Sequence, residues 1–168
     1  MTKMSLKKIL LISASNSEPS INNEILQEIV KKTEFDSLNL LKYSNIPMLV
    51  KFQKVPEEIH ELYLLFKEYE TLVFFAPEHN GYISAFFKNI IDWLSRIEID
   101  FLKSKNVLFI SASITERISR IMQAGVENTF TIFNPKSFEF MNINRYGKSI
   151  QENSEKIKDI LEKVKTFL

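Results

Sequence analysis

Residues 72–95 read LVFFAPEHNGYISAFFKNIIDWLS and join an apolar run to a helical pattern through a polar turn. The run at residues 72–76 stops at Pro77, which is typical of a strand buried on both faces of a parallel sheet. After the turn, Ser84 is a natural N-cap, and apolar residues then recur at helical spacing: Phe86, Phe87, Ile90, Ile91 and Leu94. Ligands of open α/β sheets bind beyond the carboxyl ends of strands. The candidate site residues of this turn are therefore Glu78, His79, Asn80 and Gly81.

The same alternation of apolar runs and helical patterns extends along the chain and predicts a single α/β domain over residues 1–168. Strands are expected near residues 8–13, 37–41, 72–76, 107–111 and 137–141. We expect a flavodoxin-like three-layer sandwich, in which a five-stranded parallel sheet of order 2-1-3-4-5 has helices on both faces. Pro56 is expected at the first position of the second helix, Gly125 and Thr129 weaken the fourth, and a capping box of Ser149 and Glu152 begins the last.

The composition limits the classes of partner and chemistry. The 168 residues carry 22 basic and 21 acidic side chains, and the net charge of +1 suggests neither nucleic acid nor an anionic membrane as a partner. Cysteine is absent, which excludes disulfides, thiolate zinc sites and a cysteine nucleophile. No metal site is expected, and redox chemistry needs a borrowed cofactor. Residues 9–12 are too short an apolar run for a secretion signal, and no run approaches the roughly 20 residues that cross a bilayer, so a cytoplasmic location is expected.

The turn after the first strand, residues 14–22, is rich in hydroxyl and amide side chains and leads into a helix. Backbone N–H groups at a helix N-terminus, together with short side-chain donors, suit a monophosphate. The candidate residues are Ser15, Ser17, Ser20 and Asn22. A simpler interpretation is that Ser20 only caps the helix while the others face solvent. The sequence contains neither G-x-x-x-x-G-K-[ST] nor G-x-G-x-x-G, which excludes an NTPase P-loop and a Rossmann dinucleotide fingerprint.

Two motifs in these turns resemble the NADPH-dependent FMN reductase family, which includes quinone, azo-dye and chromate reductases. The family signature PEYNGS…LKNAIDW is matched at Pro77, Glu78, Asn80, Gly81, Lys88, Asn89, Asp92 and Trp93. His79 replaces its tyrosine. The family's phosphate loop, G-S-x-R-x-x-S-x-N, is matched at Ser15, Ser20 and Asn22, whereas Ala14 replaces the glycine and Ser17 replaces the arginine.

The resemblance implies that FMN is the cofactor and that NADPH or NADH supplies electrons through it to a quinone, a flavin or a similar small acceptor. The FMN phosphate is then held by Ser15, Ser17, Ser20 and Asn22, and the ring by Pro77, Glu78, His79, Asn80 and Gly81. No catalytic side chain is implied, because the chemistry takes place on the flavin. Family members assemble as homodimers or homotetramers, and Trp93 and Tyr82 are the candidate exposed aromatic residues for such an interface.

The turn after the fourth strand departs from the family, which usually has a longer, glycine-rich turn beside the flavin ring. Residues 111–115, SASIT, contain no glycine. Ser113 can supply hydrogen-bond donors at this position, whereas the bulky Ile114 is expected to reshape the ring pocket. Arg117 and Arg120 are candidates for binding the phosphate of a nicotinamide substrate. The alternative is that both are surface charges at the start of a helix.

Three functions are compatible with the sequence. The first is an FMN-dependent NAD(P)H oxidoreductase, as the resemblance implies. The second is a flavodoxin-like electron carrier, against which the balanced charge argues, because carriers of that fold tend to be strongly acidic. The third is a degenerate module with weak or lost flavin binding, suggested by Ala14, Ser17 and the glycine-free third turn.

Overall fold

A computed structural model describes residues 7–116 and 120–168 of the chain. In chain order its elements are β1 Lys7–Ser13, α1 Ile21–Val30, β2 Asp36–Asn39, a 3₁₀ helix Leu40–Tyr43, α2 Glu57–Lys67, β3 Tyr69–Phe75, β4 Glu78–His79, β5 Tyr82–Ile83, α3 Ala85–Ile97, β6 Asn106–Ala112, α4 Arg120–Ile132, β7 Ser137–Ile143 and α5 Ile150–Lys165. Five strands form a parallel sheet in the order β2-β1-β3-β6-β7. This is the predicted flavodoxin-like order, because β6 and β7 are the fourth and fifth strands of the sheet.

Alternate side chains of the central strands enter two cores, one on each face of the sheet. On one face, residues such as Ile9, Leu11 and Val73 pack with the apolar stripes of α1 and α5. On the other face, residues such as Ile12 and Phe74 pack beneath α2, α3 and α4. Burial on both faces explains why β1, β3 and β6 read as nearly continuous apolar runs rather than as alternating ones.

The predicted weak points of α4 have a packing role. A Cβ atom on Gly125 would lie 3.1 Å from the Cδ2 and Cε2 atoms of the Tyr82 ring, so the glycine allows that ring to approach the helix. Thr129 shares a hydrogen bond between its hydroxyl and the hydroxyl of Tyr82, and its Oγ1 also donates to the carbonyl of Gly125 at 2.9 Å. The two residues that lower helix propensity therefore fix the β4–β5 hairpin against α4.

Several predicted boundaries and environments are wrong. The second strand ends at Asn39, whose Oδ1 accepts from Leu41 N at 2.9 Å and begins the 3₁₀ helix. Pro56 is the N-cap residue of α2 and not its first helical residue. Residues 78–83 form a short hairpin where a plain turn was expected. Trp93 is fully buried, so it is not an exposed candidate for a subunit interface.

Asn89 and Trp93 bind residues 47–49 to α3. The Asn89 carboxamide donates to Pro47 O at 3.0 Å and accepts from Leu49 N at 2.9 Å. The Trp93 indole N–H donates to the same Pro47 carbonyl at 2.8 Å. Asn89 is itself buried, and the three bonds fix the segment that leads from the 3₁₀ helix to α2.

Replacing Asn89 by Ala is predicted to lower the free energy of unfolding by about 1–3 kcal/mol, because it removes two hydrogen bonds of a buried carboxamide, each worth about 0.5–1.5 kcal/mol. Lys88→Ala is the matched control on the same helix turn. It removes a half-exposed ion pair with Asp92 and is expected to cost about 0.5 kcal/mol or less. Urea denaturation followed by circular dichroism measures both. Equal losses for the two variants would contradict the assigned role of Asn89.

Candidate functional site

Three loops leave the sheet side by side at its carboxyl edge. The first loop follows β1, the second follows β3 and the third follows β6, and these strands are neighbours in the sheet. Each strand pairs once more with its neighbour before its loop begins. Ala14 N donates to Phe75 O at 2.8 Å, Ala76 N donates to Ile110 O at 2.9 Å, and Ser113 N donates to Ile143 O at 2.9 Å. The candidate residues of all three loops are thereby brought to one edge.

The first loop presents hydroxyl groups at the N-terminus of α1. Ser15 is buried, and its Oγ accepts from Ser17 N at 3.1 Å, which folds the loop into a compact turn. Ser17 itself is exposed. Ser20 is the N-cap of α1, and its Oγ accepts from Asn23 N at 3.4 Å. A serine hydroxyl that accepts a bond still has its own O–H to donate, so capping and anion binding by Ser20 are compatible.

Asn22 connects the first loop to the third. It is buried in the first turn of α1, and its Oδ1 accepts from Ala112 N at 3.1 Å. This partner lies at the end of β6, 90 residues further along the chain. This bond uses the carboxamide oxygen, and the contact between Asn22 and phosphate that the resemblance implies stays a prediction. Asn22 therefore fixes the distance between two of the three loops.

The donor set of the first loop suits a phosphate group. The donors are the serine hydroxyls and the N–H groups at the start of α1, which has ten residues. Glu18 is the acidic residue in this loop. The hydroxyl of Ser13, at the end of β1, is buried and has no hydrogen-bond partner among the described residues. A polar atom at the root of the loop is thus left with unused hydrogen-bonding capacity.

The second loop is a rigid hairpin rather than a flexible turn. Glu78 pairs with Ile83 and His79 with Tyr82, while Asn80 and Gly81 make the turn with φ values of 52° and 88°. Positive φ at both central residues defines the turn that matches the twist of a two-stranded hairpin. Pro77 and Glu78 are half-buried, whereas His79 and Asn80 are exposed.

The sequence contained the signal for this hairpin. An Asn-Gly pair followed by strand-forming residues is a strong hairpin pattern. Gly81 also lies against α4, because a Cβ atom there would be 3.5 Å from Cγ2 of Ile121. The hairpin therefore has a fixed position above the edge of the sheet.

The third loop, residues 113–116, is held by the residues that follow β7. Tyr146 N donates to Ser113 O at 3.0 Å, and Arg145 N donates to Thr115 O at 3.0 Å. Tyr146 is buried, and burial, with smaller contributions from the carboxylates of Glu24 and Glu28, raises the pKa of its hydroxyl. Its ring packs in the core and anchors the segment there.

Among the other candidates, Ile114 is 62% exposed and Arg120 is exposed at the start of α4. Arg117 lies outside the described residues. Sequence reasoning missed the contribution of residues 144–146, because no local pattern links them to the third loop. Across residues 7–116 and 120–168, no helix is both long and apolar enough to cross a bilayer, and no group of three or more acidic or histidine side chains is arranged to hold a metal ion.

Comparison with known proteins identifies a family match over most of the chain. The model of the NADPH-dependent FMN reductase family matches residues 7–138, a range that includes all three loops. An uncharacterized protein of Mycoplasma pneumoniae, the MG342 homolog, is 35% identical over 95 residues. That match covers 55% of this chain and 57% of the relative, so it spans little more than half of either protein.

Solved structures with the same fold cover nearly the whole chain. The flavoenzyme NAD(P)H:(acceptor) oxidoreductase FerB of Paracoccus denitrificans aligns with a TM-score of 0.75 and 18% identity, over 96% of this chain and 95% of FerB. An FMN-dependent NADH-azoreductase of Bacillus anthracis, solved with FMN, gives 0.71 and 14%, over 95% and 99% of the two chains. Smu.1420 of Streptococcus mutans UA159 gives 0.75 and 15%, over 95% and 100%.

Asn22→Ala is predicted to lower the free energy of unfolding by about 1–3 kcal/mol, because the buried Ala112 N–H loses its only described acceptor. Asn23→Ala is a matched control in the next position. The Oδ1 of Asn23 is buried without a hydrogen-bond partner in the described part of the chain, and alanine is the better helix former, so this variant should be as stable as the parent or slightly more stable. Thermal and urea unfolding measure the difference, and a neutral Asn22→Ala would remove the proposed link between the loops.

Proposed function

This chain belongs to the NADPH-dependent FMN reductase family, and we propose that it binds FMN at the three loops and passes electrons from NADPH or NADH to a small acceptor. The observation that carries the proposal is the convergence of the first, second and third loops at one edge of the sheet, where backbone bonds and Asn22 tie them together. Ligands of this fold bind at that edge.

Ser15, Ser17 and Ser20 would hold the phosphate of FMN, together with the N–H groups at the start of α1. The partial positive charge at a helix N-terminus favours a phosphate, and short hydroxyl groups reach its oxygens without long, mobile side chains. Asn22 contributes by holding α1 against β6. Ala14 does not obstruct this arrangement, because it is fully buried in the core.

The hairpin at residues 77–81 would hold the flavin ring. Pro77, Glu78, His79, Asn80 and Gly81 supply a backbone fixed by α4, and Gly81 lets it approach the ring closely. The Ser113 hydroxyl donates to Thr115 O at 3.2 Å, so it would donate to the ring from the third loop only by exchanging that bond. When bound, FMN supplies the redox chemistry, because it accepts two electrons from the nicotinamide and passes them on to the acceptor. The chain contributes the position of the flavin.

A planar aromatic acceptor, such as a quinone or a flavin, fits the exposed apolar groups near the hairpin. Ile121 is 70% exposed and lies beside Gly81, and Ile114 of the third loop is 62% exposed. The two isoleucine side chains can pack against a flat ring. They offer no ion pair or hydrogen bond to a charged acceptor. Assembly as a homodimer or homotetramer and a cytoplasmic location remain predictions, and the burial of Trp93 removes one of the two aromatic residues suggested for the interface.

The direct test is to incubate the purified protein with FMN, remove the excess, and record visible spectra before and after anaerobic addition of NADPH or NADH. We expect about one FMN per chain and rapid loss of the oxidised-flavin absorbance. Retained FMN that is reduced only slowly would favour an electron carrier instead. Failure to retain or bind FMN in a titration would indicate a degenerate member of the family.

Ser17→Arg is predicted to tighten FMN binding by about 10- to 150-fold, the equivalent of about 1.5–3 kcal/mol for a charge-assisted hydrogen bond to phosphate. Ser17 is exposed, so the longer side chain fits without disturbing the core. Ser17→Ala is the control and should change the dissociation constant much less. Quenching of flavin fluorescence gives both constants, and an unchanged value for Ser17→Arg would place the phosphate elsewhere.

A further inference from the structure

The third loop receives its shape from the segment that follows the neighbouring strand β7 rather than from its own sequence. Residues 113–116 contain no glycine, yet they are bonded to residues 143–146 along a short ladder. Ser113 N donates to Ile143 O, Tyr146 N donates back to Ser113 O, and Arg145 N donates to Thr115 O, at 2.9, 3.0 and 3.0 Å. The buried ring of Tyr146 anchors one side of this ladder in the core.

Arg145 occupies a backbone conformation that an L-amino acid rarely adopts. Its φ is 56°, in the left-handed region, where glycine or asparagine is much less costly than arginine. Residues held in such conformations concentrate at functional sites. Among the described non-glycine residues with positive φ, Arg145 is the one that is bonded to the third loop.

The side chain of Arg145 forms an ion pair with Glu116 of the third loop. Its carbonyl accepts from the Lys156 ammonium at 3.0 Å, which ties the same residue to α5. Arg145 therefore joins the third loop through its N–H and its guanidinium, and α5 through its carbonyl. The ion pair is half-exposed, with side-chain exposures of 50% for Arg145 and 63% for Glu116, so its effect on stability is small, whereas its effect on the position of residue 116 is direct.

We propose that Arg145 is a positioning residue of the FMN site, which holds Glu116 and with it the third loop beside the flavin ring. The proposal rests on the proposed function, because it assigns the third loop to the cofactor. Arg145 acts through the loop and does not contact the cofactor. The third loop contains no glycine, and its position is imposed by the neighbouring segment after β7.

The test compares four variants. Two are the single substitutions Arg145→Gly and Glu116→Gln, the third combines both, and the fourth exchanges the charges by combining Glu116→Arg and Arg145→Glu. Arg145→Gly removes the side chain and relieves the left-handed backbone at the same time, so stability and binding should change in opposite directions. Lys158→Gln is the control, because it removes another exposed ion pair, with Glu162 on α5. The readouts are the melting temperature, the FMN dissociation constant, and hydrogen–deuterium exchange of peptides covering the third loop in the protein without FMN.

We expect Arg145→Gly to melt at the same or a higher temperature while its dissociation constant for FMN rises about two- to fivefold, the range for one exposed ion pair. Amide exchange in the third loop should become faster in Arg145→Gly and in Glu116→Gln. The double variant should be no weaker than either single variant, and the charge exchange should restore binding to within about twofold. Lys158→Gln should change none of the three readouts.

Unchanged binding and unchanged exchange in Arg145→Gly and Glu116→Gln would overturn the proposal. Additive effects in the double variant would overturn it too, because they would show that the two side chains act separately. Weaker FMN binding with unchanged exchange would also overturn it, since it would indicate direct contact with the cofactor. If the parent protein binds no FMN, the proposed function fails, and the exchange comparison alone still decides whether Arg145 holds the loop.

Discussion

The parallel hydrogen-bond ladder at the carboxyl ends of β1, β3 and β6 is the constraint on which the candidate site depends. Because each strand bonds one residue beyond its regular end, the three loops leave the sheet at the same level and in a fixed order. The loops themselves are short, and only the second has backbone strand pairing of its own. Asn22 adds a second tie between the first and third loops through a buried bond to Ala112. Binding chemistry at this edge therefore rests on long-range backbone pairing more than on the loop sequences.

The family signature combines two kinds of residue that have different physical roles. Pro77, Asn80 and Gly81 shape the hairpin at the edge of the sheet. Asn89 and Trp93, further along the same motif, hold residues 47–49 against α3 and lie among the core residues. A match in the helical half is therefore evidence for the fold, whereas a match in the turn is evidence about the site. The replacement of tyrosine by His79 falls on an exposed hairpin position, where the backbone pairing does not depend on the side chain.

The sheet order and the burial of both its faces were predictable, because β1, β3 and β6 are apolar runs that can be recognised from consecutive residues alone. The hairpin was missed because each of its strands has two residues, too few for periodicity, and only Asn80-Gly81 signals it. Trp93 was misjudged because its partner, the carbonyl of Pro47, is 46 residues away. The same reason hides the partners of Asn22 and Ser113. The local sequence was sufficient to predict which residues lie in the loops. It did not predict the long-range hydrogen bonds that hold those loops in place.

The absence of glycine from residues 113–116 does not by itself argue for a lost site. A loop needs glycine when it must reverse direction with its own backbone. Beside the third loop, the left-handed conformations lie instead at Arg145 and Gly147, with φ values of 56° and 93°, in the segment after β7. That segment turns back and donates two backbone bonds to the third loop, so the loop is held in place although it is built from serine, isoleucine and threonine. The left-handed backbone therefore lies in the segment after β7 and not in the third loop itself. Glycine at position 145 would adopt the same backbone conformation, but it would not provide the side chain that pairs with Glu116.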